Sequence, residues 1–241
     1  MQDINSIQNS DRLVPQISFL SARTSISAAK LSILSVVAYQ IILFALIFIR
    51  HDLDPYWHTI SEYAIGPNGW IMSVGFLVSA ISYGCLLMAV RSQIRGVIGY
   101  IGLGLLLICT IGVACVGIFT TDPLDTPPDA MTTRGMIHMF SGLCQLMLLP
   151  FAALLINLSL AFKNAALATA RRPLLWTAAL PLLGLIGFIV HLSLYVIPLG
   201  DNAYGPGVPL GWPSRILFLT YAAWLISLSY QAIKTSQKEA I

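Results

Sequence analysis

Val97-Ile-Gly-Tyr-Ile-Gly-Leu-Gly-Leu-Leu-Leu-Ile-Cys-Thr-Ile-Gly-Val-Ala-Cys-Val-Gly-Ile-Phe119 runs for 23 residues without a charge. As a helix it would be about 35 Å long, enough to cross about 30 Å of hydrocarbon. Five more runs of this kind surround it: Leu31–Ile49, Trp70–Val90, Met136–Phe162, Leu174–Ile197 and Ile216–Ile233. None holds Asp, Glu, Lys or Arg in its interior. One such charge near a helix centre costs about 2.5–3.5 kcal/mol on insertion. The runs are continuous rather than alternating, which argues against a closed barrel of strands. The expected fold is an all-α membrane protein, a bundle of six transmembrane helices.

Composition agrees. The 241 residues are 57% hydrophobic and only 10% charged, where soluble domains carry about a quarter charged residues. The natural partner is the lipid bilayer. A net charge of +3 makes no case for nucleic acid. Cys85, Cys109, Cys115 and Cys144 all lie in apolar runs and form no C-x-x-C pair, so free buried thiols are expected.

The basic residues set the orientation. Ten of the Lys and Arg residues fall in the N-terminal tail, the second and fourth connections and the C-terminus. The first, third and fifth connections hold Arg50, Arg134 and Arg215, one each. The positive-inside rule then places both termini in the cytoplasm and loops 50–69, 120–135 and 198–215 outside it. The expected address is the cell inner membrane. Residues 1–29 read as a flexible cytoplasmic tail with a short interfacial helix near Ile17–Leu20. Residues 30–234 read as the membrane domain and 235–241 as a second tail.

The outward connections carry the chemistry. Seven of the ten acids lie there, and all four histidines lie there or in the outer part of a span. His138 sits two residues inside the fourth run, about 3 Å deep, and His191 six residues before the end of the fifth, about 9 Å deep. If the first connection dips inward, His58, His138 and His191 could meet under the outer surface. His58 and Glu62 would share a face of a helical turn over Trp57–Ala64. His138, Ser141, Gly142 and Gln145 share one face of the fourth run, and His191 and Tyr195 one face of the fifth. Gly66-Pro67 before Trp70 is echoed by Gly205-Pro206 before Trp212, which a duplicated hairpin or shared turn chemistry explains equally well.

These residues allow several roles. His138, His191, Glu62, Asp122 and Ser61 are the candidate catalytic set, with His58, Arg134 and Arg215 as ligand-binding groups. His58, His138 and His191 could hold zinc, whose bound water would ionise near pH 7. Ser61 or a water could then attack an ester or amide of a lipid. The structural alternative gives His138 and His191 interhelical hydrogen bonds, and makes Asp122, Ser61 and Thr59-Ile-Ser61-Glu62 turn and helix caps. Gln40, Gln145 and Asn157 read as glue between helices.

Four segments carry a resemblance. They are His58-Thr-Ile-Ser-Glu-Tyr63, Gly117-Ile-Phe-Thr-Thr-Asp-Pro123, Thr133-Arg-Gly-Met-Ile-His138 and the Gly211-x-x-x-Arg215 start of the last span. Together they resemble the multi-pass bacterial proteins of domain of unknown function 998, over about residues 31–233. Ser214 stands where a glutamine is common in that family. The resemblance implies six spans and a membrane address, and brings no activity with it. Two functions are therefore carried forward. One is an outer-face pocket for a lipid head group or small polar ligand, with hydrolase-like chemistry. The other is a non-enzymatic structural or sensory subunit whose outer loops contact a partner.

Overall fold

In a computed structural model, described for residues 3–239 with side chains over 22–164, 167–200 and 202–238, every regular element is helical. Six long helices follow the chain: α1 Asp3–Ile49, α2 Gly69–Val90, α3 Gly96–Ile118, α4 Thr133–Lys163, α5 Arg171–His191 and α6 Gly211–Glu239. Each contains a stretch long and apolar enough to cross a membrane. The expected six-helix membrane bundle is the fold observed.

The helices overrun the apolar runs. Helix α1 continues backward from Leu31 to Asp3, and Ala22, Ser25 and Ala29 on it are buried. The Ile17–Leu20 stretch has its side chains outside the described residues. Helix α4 continues through Pro150 and α5 through Pro181. Helix α5 then passes into a π-turn over Leu192–Val196 and a 3-10 turn over Ile197–Asn202.

Successive helices pack side by side, and α1 closes the bundle against α6. Helices α3 and α4 make the tightest approach. A Cβ at Gly102 would lie 2.9 Å from the Ile156 amide nitrogen, and one at Gly112 2.9 Å from the Ser141 carbonyl oxygen. Small residues earn this closeness where lipid gives helices no hydrophobic reason to associate. Helix α5 is the most peripheral, burying 17% of its apolar window against 33–44% for the others.

Buried polar groups tie the helices. Ser32 of α1 meets Ser82 of α2 at 3.2 Å and Ser229 of α6 at 3.1 Å. Gln145 donates to the Tyr83 hydroxyl, and Asn157 bridges the Leu174 carbonyl and the Trp224 indole. These two amides are the glue the sequence suggested. Gln40 differs: both its amide atoms are buried without a partner among the described residues.

Candidate functional site

The first connection folds into the end of the bundle. Ile60, Tyr63 and Ala64 are buried among Tyr39, Leu43, Leu46, Met72 and Phe76 of α1 and α2. This apolar anchor draws the 3-10 turn Ser61–Ala64 down between the helices. The longer helical turn expected over Trp57–Ala64 is thus shortened to four residues. Glu62 reaches back so that one carboxylate oxygen accepts from the Thr59 amide at 2.7 Å and its hydroxyl at 3.1 Å. The arrangement resembles a capping box.

That descent sets Ser61 against His138. The Ser61 hydroxyl lies 2.9 Å from His138 Nε2, and His138 Nδ1 lies 2.7 Å from the Phe119 carbonyl oxygen. A carbonyl only accepts, so Nδ1 carries the proton. Nε2 is left with its lone pair toward Ser61, which donates to it. The imidazole is 3% exposed, and Phe76 meets it edge-on at 6.0 Å. Three segments far apart in sequence thus fix one tautomer and one ring orientation.

Ser61, Glu62, Asp122, His138 and Gln145 line a cavity of about 300 Å³, whose wall also includes Tyr39, Phe76 and Phe218. Met139 and Leu143 of α4 are in this wall and are 43% and 49% exposed. These two side chains thus separate the cavity from the flank of the bundle within the apolar run of α4. A second cavity of about 360 Å³ lies among the first, third and fifth connections. Glu62 and Leu124 belong to the walls of both.

Asp122 also has a structural role, and His58, His191 and Arg134 lie outside the first cavity. Asp122 ties the third connection, accepting from the Thr132 amide at 2.7 Å and its hydroxyl at 2.9 Å. Thr132 in turn caps α4 by accepting from the Gly135 amide. His58 lines the second cavity, stacks on Trp57 and lies 3.1 Å from the Asp54 carbonyl. His191 faces the Pro209 carbonyl at 2.7 Å and borders a separate groove between α5 and α6. Its ring is 5.2 Å from that of Tyr195, as their shared face implied. Arg134 is exposed and lines neither cavity.

Arg215 does not reach the bundle surface, and among the described residues it pairs with no acid. It is fully buried, donates to the Pro55 and His58 carbonyls at 3.3 and 3.1 Å, and lies over the Tyr63 ring. Among the described residues no three His, Cys, Asp or Glu side chains converge as metal ligands. His58, His138 and His191 each face a different backbone carbonyl, and both His138 nitrogens are occupied. The donor set proposed for zinc does not form.

The family described as Protein of unknown function (DUF998) matches residues 33–230. The chain belongs to the DUF998 family. Neither curated proteins nor solved structures give a match to it. The four segments that carried the resemblance to DUF998 are the ones that meet here. Ser61 meets His138, Phe119 meets His138, and Arg215 donates to the His58 carbonyl at 3.1 Å. Ser214 donates to the Gly211 carbonyl and adds to the wall of the first cavity.

Sequence reasoning missed Arg50. It is 3% exposed, donates to the Tyr63 and Ile65 carbonyls, and forms a bidentate pair with Asp52. An arginine against the positive-inside trend was the available signal. In this DUF998 chain Arg50 closes the ends of the dipping turn. Its replacement by alanine leaves two carbonyls open and should cost about 1–3 kcal/mol in thermal unfolding. The hydrogen bond from Arg50 holds the Asp52 carboxyl down to about 2. A depressed carboxyl contributes stability above its ordinary range, near 3.9, and loses it as pH falls through the folded value. Amide exchange over 50–65 in Asp52→Asn should therefore exceed that of the wild type at pH 5, with the difference shrinking as pH falls and vanishing below about 2.

Proposed function

We propose that the protein is a membrane-embedded acyl hydrolase or acyltransferase, in which His138 activates Ser61 toward an ester or amide of an amphiphile. The observation that carries this is the hydrogen-bonded series Ser61–His138–Phe119. A neutral imidazole with a fixed tautomer and its lone pair on a serine hydroxyl is the arrangement a general base needs. The Ser61 oxygen bonds to the carbonyl carbon of the substrate. Its proton passes to His138 Nε2, which delivers it to the departing alcohol or amine. Water or a second alcohol then attacks the acyl–Ser61 ester, giving its proton to His138, which passes it to Ser61 Oγ as the acyl–oxygen bond breaks. The 300 Å³ cavity, mostly apolar with Ser61, Glu62, Asp122 and His138 in its wall, suits an amphiphile, and the exposed Met139 and Leu143 in that wall suit entry from the bilayer. The distribution of Lys and Arg supports placing this corner in the extracytoplasmic leaflet of the cell membrane.

A fluorophosphonate tests the reading without knowledge of the substrate. Ser61 Oγ should bond to phosphorus and expel fluoride, seen as a mass increase on the peptide holding Ser61 in nanodisc-embedded protein. Ser61→Ala should remove the adduct. No adduct on Ser61, together with unchanged labelling in Ser61→Ala, would leave the cavity as a binding pocket or the loops as partner contacts.

A further inference from the structure

The second cavity lies directly beyond Ser61. It is roofed by the three odd connections and shares Glu62 and Leu124 with the first cavity. Its walls include the aromatic side chains of Trp57 and Tyr204, the His58 imidazole, whose ring lies 3.6 Å from that of Trp57, and the carboxylates of Glu62 and Asp125. No Lys or Arg lines it. Glu62 is 9% exposed and spends one oxygen on Thr59. Its other oxygen accepts no hydrogen bond, and no cation pairs with it among the described residues. Among the described residues that oxygen is not one of the sealed polar atoms, so it is open to a ligand in the cavity, and the charge of the buried Arg215 guanidinium reaches Glu62 without a direct contact. Aromatic faces beside carboxylates are the surroundings in which an ammonium group is held.

We infer that this vestibule receives the cationic, amine-bearing head of the amphiphile whose body fills the first cavity. The inference rests on the proposed function for the position of the reacting bond. Ser61 and Glu62 are consecutive, with Cα atoms about 3.8 Å apart. The bond attacked by Ser61 thus lies within a few bonds of the cationic centre, as in an ester or amide of an amino alcohol.

Binding separates this from the chemistry. Decyltrimethylammonium, decyl sulfate and free tetramethylammonium are titrated calorimetrically into protein-loaded nanodiscs, with empty discs subtracted. The decyl cation should bind most tightly, about tenfold or more over the sulfate. Glu62→Gln keeps an oxygen for Thr59 and removes the charge, and should weaken the cation about tenfold while leaving the melting temperature unchanged. Trp57→Ala should do the same, and Ser61→Ala should bind like the wild type. Equal affinity for decyl cation and decyl sulfate, or undiminished cation binding in both Glu62→Gln and Trp57→Ala, overturns the inference. Tetramethylammonium binding as tightly as the decyl cation overturns its amphiphile part. An unreactive Ser61 with selective cation binding would end the catalytic proposal alone.

Discussion

Gly211→Ala is expected to unseat the first connection from the bundle. The added Cβ would collide with the Pro55 carbonyl oxygen and stand 2.7 Å from that of His58. Both obstacles are backbone, so neither can swing aside as a side chain does. The same contact region carries the Gly211 amide bond to Tyr56 and both Arg215 bonds to the first connection, at Pro55 and His58. Overpacking of this kind costs about 1–3 kcal/mol, and a rigid obstacle pushes the cost to the upper end or beyond. Gly187→Ala provides the control, because a Cβ there meets nothing within 4 Å. It should gain up to about 1 kcal/mol from helix propensity. Melting curves in detergent distinguish the pair, and equal melting temperatures would mean that α6 does not grip the turn. Ser61 rides on that turn, so Gly211→Ala should also slow fluorophosphonate labelling.

The second large effect belongs to His138. His138→Gln offers an amide that can still donate to the Phe119 carbonyl and accept from Ser61, but it cannot take a proton. Labelling of Ser61 should fall by about 10²–10⁴ in rate, the usual contribution of a positioned base. The melting temperature should move far less. In the wild type the labelling rate should also fall on the acid side, because a protonated imidazole has no lone pair for the hydroxyl. A rate in His138→Gln equal to the wild type would reduce the histidine to a tie between α4 and the first connection.

The spans were legible because lipid demands an uninterrupted apolar run. Helix α2 begins one residue before its run and α3 one before its own. The helices extend beyond the apolar runs at their ends. Helix α1 reaches back to Asp3, and α6 runs from Gly211 to Glu239 rather than from Ile216 to Ile233. Hydropathy marks the lipid boundary, whereas backbone hydrogen bonding carries on past it.

The site was legible in part, and the failures share a cause. Ser61, Glu62, Asp122 and His138 stood out as polar groups at one level of the membrane, and one cavity gathers all four. Residue counting gives depth along a helix axis but not rotation about it. His138 and His191 were rightly placed near the same end, yet they border different cavities. Arg215 was read as a surface or ion-paired group because nothing in a linear sequence announces that the carbonyls of Pro55 and His58 will arrive beside it. The descent of the first connection depends on three scattered apolar residues, Ile60, Tyr63 and Ala64, too few to register as a periodic pattern.

The exposed Met139 and Leu143 in the cavity wall have a kinetic consequence. A molecule arriving by that side travels in two dimensions and never passes through bulk water. The quantity that governs occupancy is then its mole fraction in the leaflet. Diluting vesicles with buffer should leave the turnover of such a molecule unchanged, whereas diluting the bilayer with an inert lipid should lower it in proportion.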